Sequence, residues 1–331
     1  MAAFGLGPSG AHVNAAAEPS SAADAAEKKV DPKLLDSYVG QYELQPGFVI
    51  TIRRRGDGIT GQATGQSTFD LFARSETHFF LKEVDAQITF VREADGKTSR
   101  LILHQNGDHS AKKISDEVPK PRVPDLAKIP ARDPKASDKL LDLSGQYNAR
   151  LDDAWHPDSG AEILQQNHLG ALPGGIQTFA GVQFDVRGVV QLSGRQLEGV
   201  GGNFPKEIKG IRVGKKCAKL HFLGGTGWST EDGTRIGSYI IHFAGGQTAE
   251  LPIAYGADVR DWWSTGDDDF EAKNASVAWK GANAATEQLG ASLRLFKSTL
   301  ENPQPDLVIE SVDFMSAMAE SAPFLIAITI E

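Results

Sequence analysis

Between residues 48 and 105 the chain runs in short segments that alternate apolar and polar positions and are rich in β-branched and aromatic residues. Six strands are predicted there, at residues 48–55, 59–64, 68–73, 78–81, 87–92 and 99–105. Turns fall at Gly56-Asp57-Gly58, Gly65-Gln66, Ser75-Glu76 and Ala94-Asp95-Gly96. Strands recurring every 8–12 residues or so predict an antiparallel meander that closes, or nearly closes, into a small up-and-down barrel. A helical turn near Leu34 leads in through Tyr38 and Tyr42. Beyond residue 140 a second set of strands is expected at 181–192, 216–223, 236–243, 248–255, 276–280, 291–299, 307–317 and 324–330, with one helical turn near Glu287. Long loops separate the early members of this set, which favours a two-sheet jelly roll over a second barrel. The expected fold class is all-β.

The patterning divides the chain into a leader at 1–30, a barrel domain at 31–116, a linker at 117–139 and a sandwich domain at 140–331. Five prolines among mixed charges make the linker an extended, semi-rigid spacer. The leader is Ala-rich and ends in Ala15-Ala16-Ala17 before Glu18-Pro19, like the back half of a secretory signal, yet no Lys or Arg precedes Lys28. It reads either as part of an export signal whose start lies upstream or as a disordered leader, and a secreted or periplasmic location is the expectation.

Two resemblances follow from particular stretches. YVGQYEL, GDGITGQATGQ, the run from Phe69 through Gly107 and AKKI together resemble the lipocalin-like domain often fused behind the catalytic domain of serine β-lactamase and penicillin-binding-protein relatives. The catalytic domain of that fusion has no counterpart in this sequence. GGIQTF, VQFDVRGV, the core stretch 216–263, residues 292–297, Glu301-Asn302-Pro303 and VIESVDF resemble a galactose-binding-domain-like jelly-roll sandwich, a superfamily used for carbohydrate binding in exported bacterial proteins. Fold is what these strand and turn positions carry, more than ligand.

Composition narrows the classes of function. With 331 residues and 40% hydrophobic content the chain can bury a core in each of two domains. The single cysteine, Cys217, excludes an internal disulfide and every multi-cysteine zinc site. Charge is uneven, with 18 basic against 19 acidic side chains in residues 1–138 and 16 against 24 in residues 139–331. An acidic second half repels phosphate backbones and anionic lipid, so no nucleic-acid partner is expected. Nor is a membrane-spanning helix, for no apolar run approaches the roughly 20 residues it needs.

Several local patterns have plain readings. Arg53-Arg54-Arg55 alternates across a strand and forms no patch. His78, His104 and His109 share no metal-ligand spacing and read as sheet residues. Ser110-Ala-Lys-Lys113 satisfies S-x-x-K, but it ends a strand, opens no helix and has no S-D-N or K-T-G partner, so the match reads as coincidence.

The candidate site lies in the second half. Residues 224–233 and 256–269 are read as loops leaving the strands of the core stretch, and they carry three of the five tryptophans together with clustered acids. Trp228, Tyr255, Asp258, Arg260, Asp261, Trp262 and Trp263 are the candidate ligand-binding residues. A flat indole suits the apolar face of a sugar, and carboxylates or a guanidinium would bind its hydroxyls. Because Trp262 and Trp263 are adjacent, one ring is expected inside and its neighbour outside. Asp258, Asp261 and Asp267 to Asp269 could instead hold Ca²⁺, although no EF-hand spacing is present. A non-catalytic module binding a carbohydrate or other polar small ligand is the leading reading. The alternatives are a hydrolase using an acid pair such as Asp258 and Asp261, an accessory subunit of a serine hydrolase or glycosidase, and an envelope scaffold that binds another envelope protein.

Overall fold

The computed structural model describes residues 27–64, 66, 68–82, 84–118, 124–156, 162–265, 272 and 274–331. The expected leader up to residue 26 and the acidic run Asp267 to Asp269 lie outside the described residues. The chain forms two compact units, one of Met1–Lys120 with Asp158–Ala161 and Gly199–Gly201, the other of Pro121–Pro157, Glu162–Glu198 and Gly202–Glu331.

The first unit is a closed barrel of eight strands: β1 (Gly40–Gln45), β2 (Phe48–Arg55), β3 (Gly58–Ala63), β4 (Thr68–Ala73), β5 (His78–Phe80), β6 (Gln87–Arg92), β7 (Thr98–His104) and β8 (Asp108–Ser115). Each pairs antiparallel with the next, and β8 pairs back with β1. The up-and-down barrel predicted from the meander is therefore what forms, and it leaves no open edge. Patterning alone did not delimit β1 and β8. In β8 only Ala111 is fully buried, so the alternation that marked the other strands is nearly silent there.

Helix α1 (Pro32–Tyr38) lies against this barrel. Asp31 caps it by accepting from Lys33 N at 2.7 Å, and Pro32 supplies the fixed φ that suits a first turn. The helix buries Leu35 and Tyr38 in the barrel core. The Tyr38 ring stacks on Phe90 at 4.1 Å, and Phe79 meets both rings edge-on. The buried phenols are satisfied: Tyr42 OH donates to Tyr38 O and Tyr38 OH to Glu76 O, each at 2.8 Å. Burial pushes the Tyr38 phenol up to about 12.

The second unit holds β9 (Ala149–Arg150), β10 (Gly175–Phe179), β11 (Val182–Val186), β12 (Gly188–Gln191), β13 (Glu207–Lys215), β14 (Lys219–Gly227), β15 (Arg235–Phe243), β16 (Thr248–Ala254), β17 (Trp263–Thr265), β18 (Ala275–Gly281), β19 (Ala291–Glu301), β20 (Ile309–Ser316) and β21 (Ala322–Ile330). Its short helices are α2 (Arg195–Gly199) and α3 (Ala284–Gln288), the latter closed by an Asn283/Thr286 capping box. One sheet has seven strands in the order β17-β19-β14-β21-β12-β9, with β18 also on β19. A second has four in the order β13-β20-β15-β16, and β10 and β11 form a separate hairpin.

The two larger sheets share a core. Leu220, Phe222, Phe296 and Ile328 of the first pack with Ile211, Tyr239, Ile241 and Phe314 of the second. Phe222 stacks on Tyr239 at 3.8 Å, and Tyr239 on Phe314 at 5.2 Å. A further cluster of Trp155, Leu169, Phe184, Leu223, Trp262, Leu295, Phe324 and Ile326 uses the alternate positions of the seven-stranded sheet. That sheet is thus covered on both faces, which is why β21 is buried at all nine positions and reads as an unbroken apolar run.

The strands of residues 216–255 divide between the sheets, β14 in the seven-stranded one and β15 and β16 in the four-stranded one. One expectation needs correction: residues 224–227 belong to β14 and not to a loop. Glycine there permits close backbone approach: a Cβ at Gly224 would collide with the Phe324 carbonyl, and one at Gly225 would lie 2.8 Å from the Phe324 ring.

Part of the expected linker is fastened to the second unit. Arg132 donates to Leu140 O at 2.6 Å and pairs with buried Asp185 at 3.1 Å. Asp185 also pairs with Arg187 at 2.9 Å, and Arg187 reaches Asp142 and Ser144, each at 2.7 Å. Burial pushes the Asp142 carboxyl up, but hydrogen bonds from Ser144 and the Arg187 guanidinium outweigh it and hold it down to about 2. Replacing Arg187 by Ala leaves Asp185 buried with half its compensation, and the expected cost is about 3–5 kcal/mol in urea unfolding. A loss under about 1 kcal/mol would mean that Arg132 alone neutralises Asp185.

Candidate functional site

The site is built where β14 ends. Trp228 follows Gly227 with a left-handed φ of 61°, and its carbonyl accepts from buried Ser321 Oγ at 2.8 Å. A non-glycine residue held there stores strain of about 1–3 kcal/mol, which the surrounding structure must enforce. The half-buried Trp228 ring stacks on His156, centroids 4.8 Å apart and planes 30° apart. Glycine at 227 makes room for that imidazole, since a Cβ there would sit 2.7 Å from His156 Cε1.

His156 is positioned from beneath. Gln191 is fully buried and its Oε1 accepts from Trp155 Nε1 at 2.8 Å. The same oxygen lies 3.0 Å from His156 Nε2, while Gln191 Nε2 donates to the carbonyls of Leu192, Ala322 and Pro323. An amide oxygen can only accept, so His156 carries its proton on Nε2 and presents Nδ1 as an acceptor. Burial pushes the imidazole down to about 4, so it is neutral at physiological pH.

Asp261 enters through backbone pairing. Trp262 N donates to Thr226 O at 2.9 Å and Thr226 N to Arg260 O at 3.3 Å, laying residues 260–262 beside the end of β14. Asp261 Oδ1 accepts from Trp263 N at 3.0 Å and Oδ2 from Ser229 Oγ at 3.2 Å, and its main-chain oxygen accepts from Arg294. Burial pushes its carboxyl up to about 6, against those hydrogen bonds and the Arg294 charge.

The other residues expected at the site divide into two groups. Trp262 is a core residue, 2% exposed, packed on Trp155 at 5.0 Å and edge-on to Phe324 and His156. Trp263 is half-buried, its indole N–H donating to Asn167 at 3.0 Å. The adjacent pair thus splits into an inner and an outer ring. Tyr255 is buried under the Arg260 guanidinium, 5.5 Å from its centroid, and Arg260 forms a two-pronged pair with Asp232. Asp258 is buried as a turn cap, accepting from Ala254 N and Asn274 Nδ2. Both its oxygens are thereby engaged, and among the described residues no group of three or more His, Cys, Asp or Glu could hold a metal ion.

Patterning missed His156, Gln191, Ser229 and Asp232. The adjacent aromatics Trp155-His156 were a signal that was present and unused. Nothing local marks Gln191, whose role rests on partners over 130 residues away. In the first unit, Ser110 and Lys113 project to opposite faces of β8: Ser110 is exposed, whereas Lys113 pairs with Asp116 and donates to Ser37 O.

Residues 24–117 match a family described as a domain of unknown function (DUF3471). Penicillin-binding protein 4* of Bacillus subtilis (strain 168) is 32% identical over 89 residues, covering 27% of this chain. The match spans only a fifth of that relative's length. No solved structure matches.

The two shifted groups act on stability in opposite senses. Unfolded His156, near 6.5, takes a proton before the folded form, so stability is lost as pH falls from about 6.5 to about 4. Folded Asp261 holds its proton to about 6, so its contribution is lost as pH rises from about 4 to about 6. They offset each other in this window. Asp261→Asn is expected to steepen acid destabilisation by close to one bound proton, and His156→Gln to abolish or invert it. Urea midpoints between pH 4 and 7 measure both, and parallel curves for the variants and the parent would refute the opposed titration.

Proposed function

We propose that the second unit is a non-catalytic binding module for a carbohydrate or another polar surface ligand. The observation that supports this best is Trp228, a half-exposed indole held in a strained left-handed conformation and backed by a neutral imidazole. Strain of that kind persists where the surroundings enforce it, and it clusters at ligand sites. Ser229, next to Trp228 in the chain, donates to Asp261, a carboxyl that changes charge near pH 6, and Arg260, the neighbour of Asp261, pairs with Asp232. Flat apolar surface beside hydroxyl-binding groups suits a sugar ring. In this reading the two-sheet core is a galactose-binding-like jelly roll, the ligand is a cell-surface glycan, and the protein is exported.

A second reading is favoured by the 32% identity to a penicillin-binding protein over 89 residues. Here the barrel is an accessory domain of serine-hydrolase type and the chemistry comes from a partner. Ser110→Ala should then leave turnover of any β-lactam or ester unchanged, as expected for a serine whose S-x-x-K lysine points away.

Trp228→Ala is expected to weaken glycan binding ten- to hundredfold, or about 1–3 kcal/mol, with the thermal midpoint little changed, since alanine keeps the Cβ and with it the left-handed strain. Trp262→Ala should instead cost about 3–5 kcal/mol of stability by opening a core cavity. Glycan-array binding and thermal unfolding of both variants distinguish the roles. A stable Trp228→Ala protein that binds like the parent would end the proposal.

A further inference from the structure

The outer face of the barrel carries a row of polar side chains. On β5, β6 and β7 the residues Phe79, Ile88 and Leu103 point into the core, so strand alternation turns His78, Gln87, Thr89 and His104 outward. Pairing sets them side by side: His78 lies opposite Thr89, Gln87 opposite His104, and His104 opposite Asp108 of β8. His78, Thr89 and His104 are half-buried there. No spacing along the chain marks the two histidines, because they come together across three strands.

Hydrogen bonds fix which nitrogen of each ring holds a proton. Asp108 Oδ1 lies 2.7 Å from His104 Nδ1, and Gln87 Oε1 lies 2.7 Å from His78 Nε2. The same Gln87 oxygen accepts from Arg74 at 3.4 Å, which orients the amide. A carboxylate and an amide oxygen only accept, so His104 Nδ1 and His78 Nε2 carry the protons. The other two nitrogens, His78 Nδ1 and His104 Nε2, converge on Thr89 Oγ1 at 2.9 and 2.8 Å. A hydroxyl has one proton to give. With both rings neutral it serves one of them, and the second contact sets lone pair against lone pair. Positive charge added at that point removes the conflict, either as a proton on one ring or as a metal ion bonded to both.

The geometry suits the metal. Imidazole nitrogens bind such ions at about 2.0–2.1 Å, which places two rings on one ion with centroids roughly 5–6 Å apart. These stand 5.9 Å apart. Each ring is also backed at its far nitrogen by an acceptor, Asp108 or Gln87, the outer arrangement that orients a ligating imidazole and raises its basicity. We propose that His78 Nδ1 and His104 Nε2 together bind a divalent transition-metal ion of the kind imidazole favours, Cu²⁺, Ni²⁺ or Zn²⁺. Among the described residues no third His, Cys, Asp or Glu completes the set, so the Thr89 hydroxyl stays beside the ion and water fills the remaining positions. An open pair of nitrogens of this kind holds Cu²⁺ most tightly. The site is independent of the Trp228 surface.

The test uses the full chain with Cu²⁺ or Zn²⁺ added alone. Each ion is expected to bind at one per chain in calorimetry, and the electron paramagnetic resonance spectrum of bound Cu²⁺ should show coupling to two imidazole nitrogens. His78→Gln and His104→Gln should each weaken both ions at least tenfold and leave coupling to a single nitrogen, with far-UV circular dichroism unchanged. His78→Ala and His104→Ala replace any Gln variant that does not fold. His109→Gln, in the same barrel but outside the cluster, should bind like the parent, and Asp108→Asn should weaken binding severalfold. Absence of saturable binding, coupling to one nitrogen in the parent, or parental affinity in folded His78 and His104 variants would overturn the site, and parental affinity in Asp108→Asn would overturn the part given to its carboxylate.

Discussion

The close approach of β14 to β21 is the constraint on which the second unit depends. Eight residue pairs join these strands, from Leu220 opposite Ile330 to Gly227 opposite Ala322. Where glycines 224, 225 and 227 meet the chain around Phe324, no other residue leaves space for both backbones and for the rings of Phe324 and His156. These contacts seat β21 at the middle of a sheet covered on both faces, so Trp155, Trp262 and Phe324 can pack on one side while Phe222, Tyr239 and Phe314 pack on the other. They also end β14 where Trp228 must turn left-handed to leave it.

Buried polar groups then determine what the apolar layers alone would leave loose. Gln191 accepts from an indole and an imidazole and donates to three carbonyls, so one side chain aligns Trp155, His156 and the start of β21. Arg187 plays the matching part elsewhere in the unit, bringing Asp142, Ser144 and Asp185 together beneath the chain that precedes β9. Groups of this kind are costly to bury and costlier to leave unpaired, so each restricts the unit to one arrangement. Electrostatics at the candidate site follows from the same enclosure. The solvation lost by His156 keeps it neutral and that lost by Asp261 keeps its proton to near pH 6, which gives the Trp228 surface one fixed acceptor and one group of variable charge.

Closure of the barrel leaves the first unit without an open sheet edge. Similarity to a penicillin-binding protein extends over 89 residues, 27% of this chain. Likeness in one segment of that size carries fold and not chemistry.

Strand-period alternation between Phe48 and His104, with turns of Gly and Asp, was enough to determine an up-and-down barrel, because each strand pairs with its sequence neighbour and local pattern is all that such a topology needs. The all-β character of the second half and the inner and outer roles of Trp262 and Trp263 were legible for the same reason, a period of two. Tertiary structure decided the rest. Whether 224–227 was loop or strand depended on Phe324, about a hundred residues later, because glycine permits a turn and a close approach equally well. Tyr255 and Asp258 passed from candidate ligands to buried structural groups once their partners were present, and His156 joined Trp228 only through Gln191 and the sheet between them. Residue type and spacing report local conformation; which side chains face solvent together depends on nonlocal pairing, which no local pattern encodes.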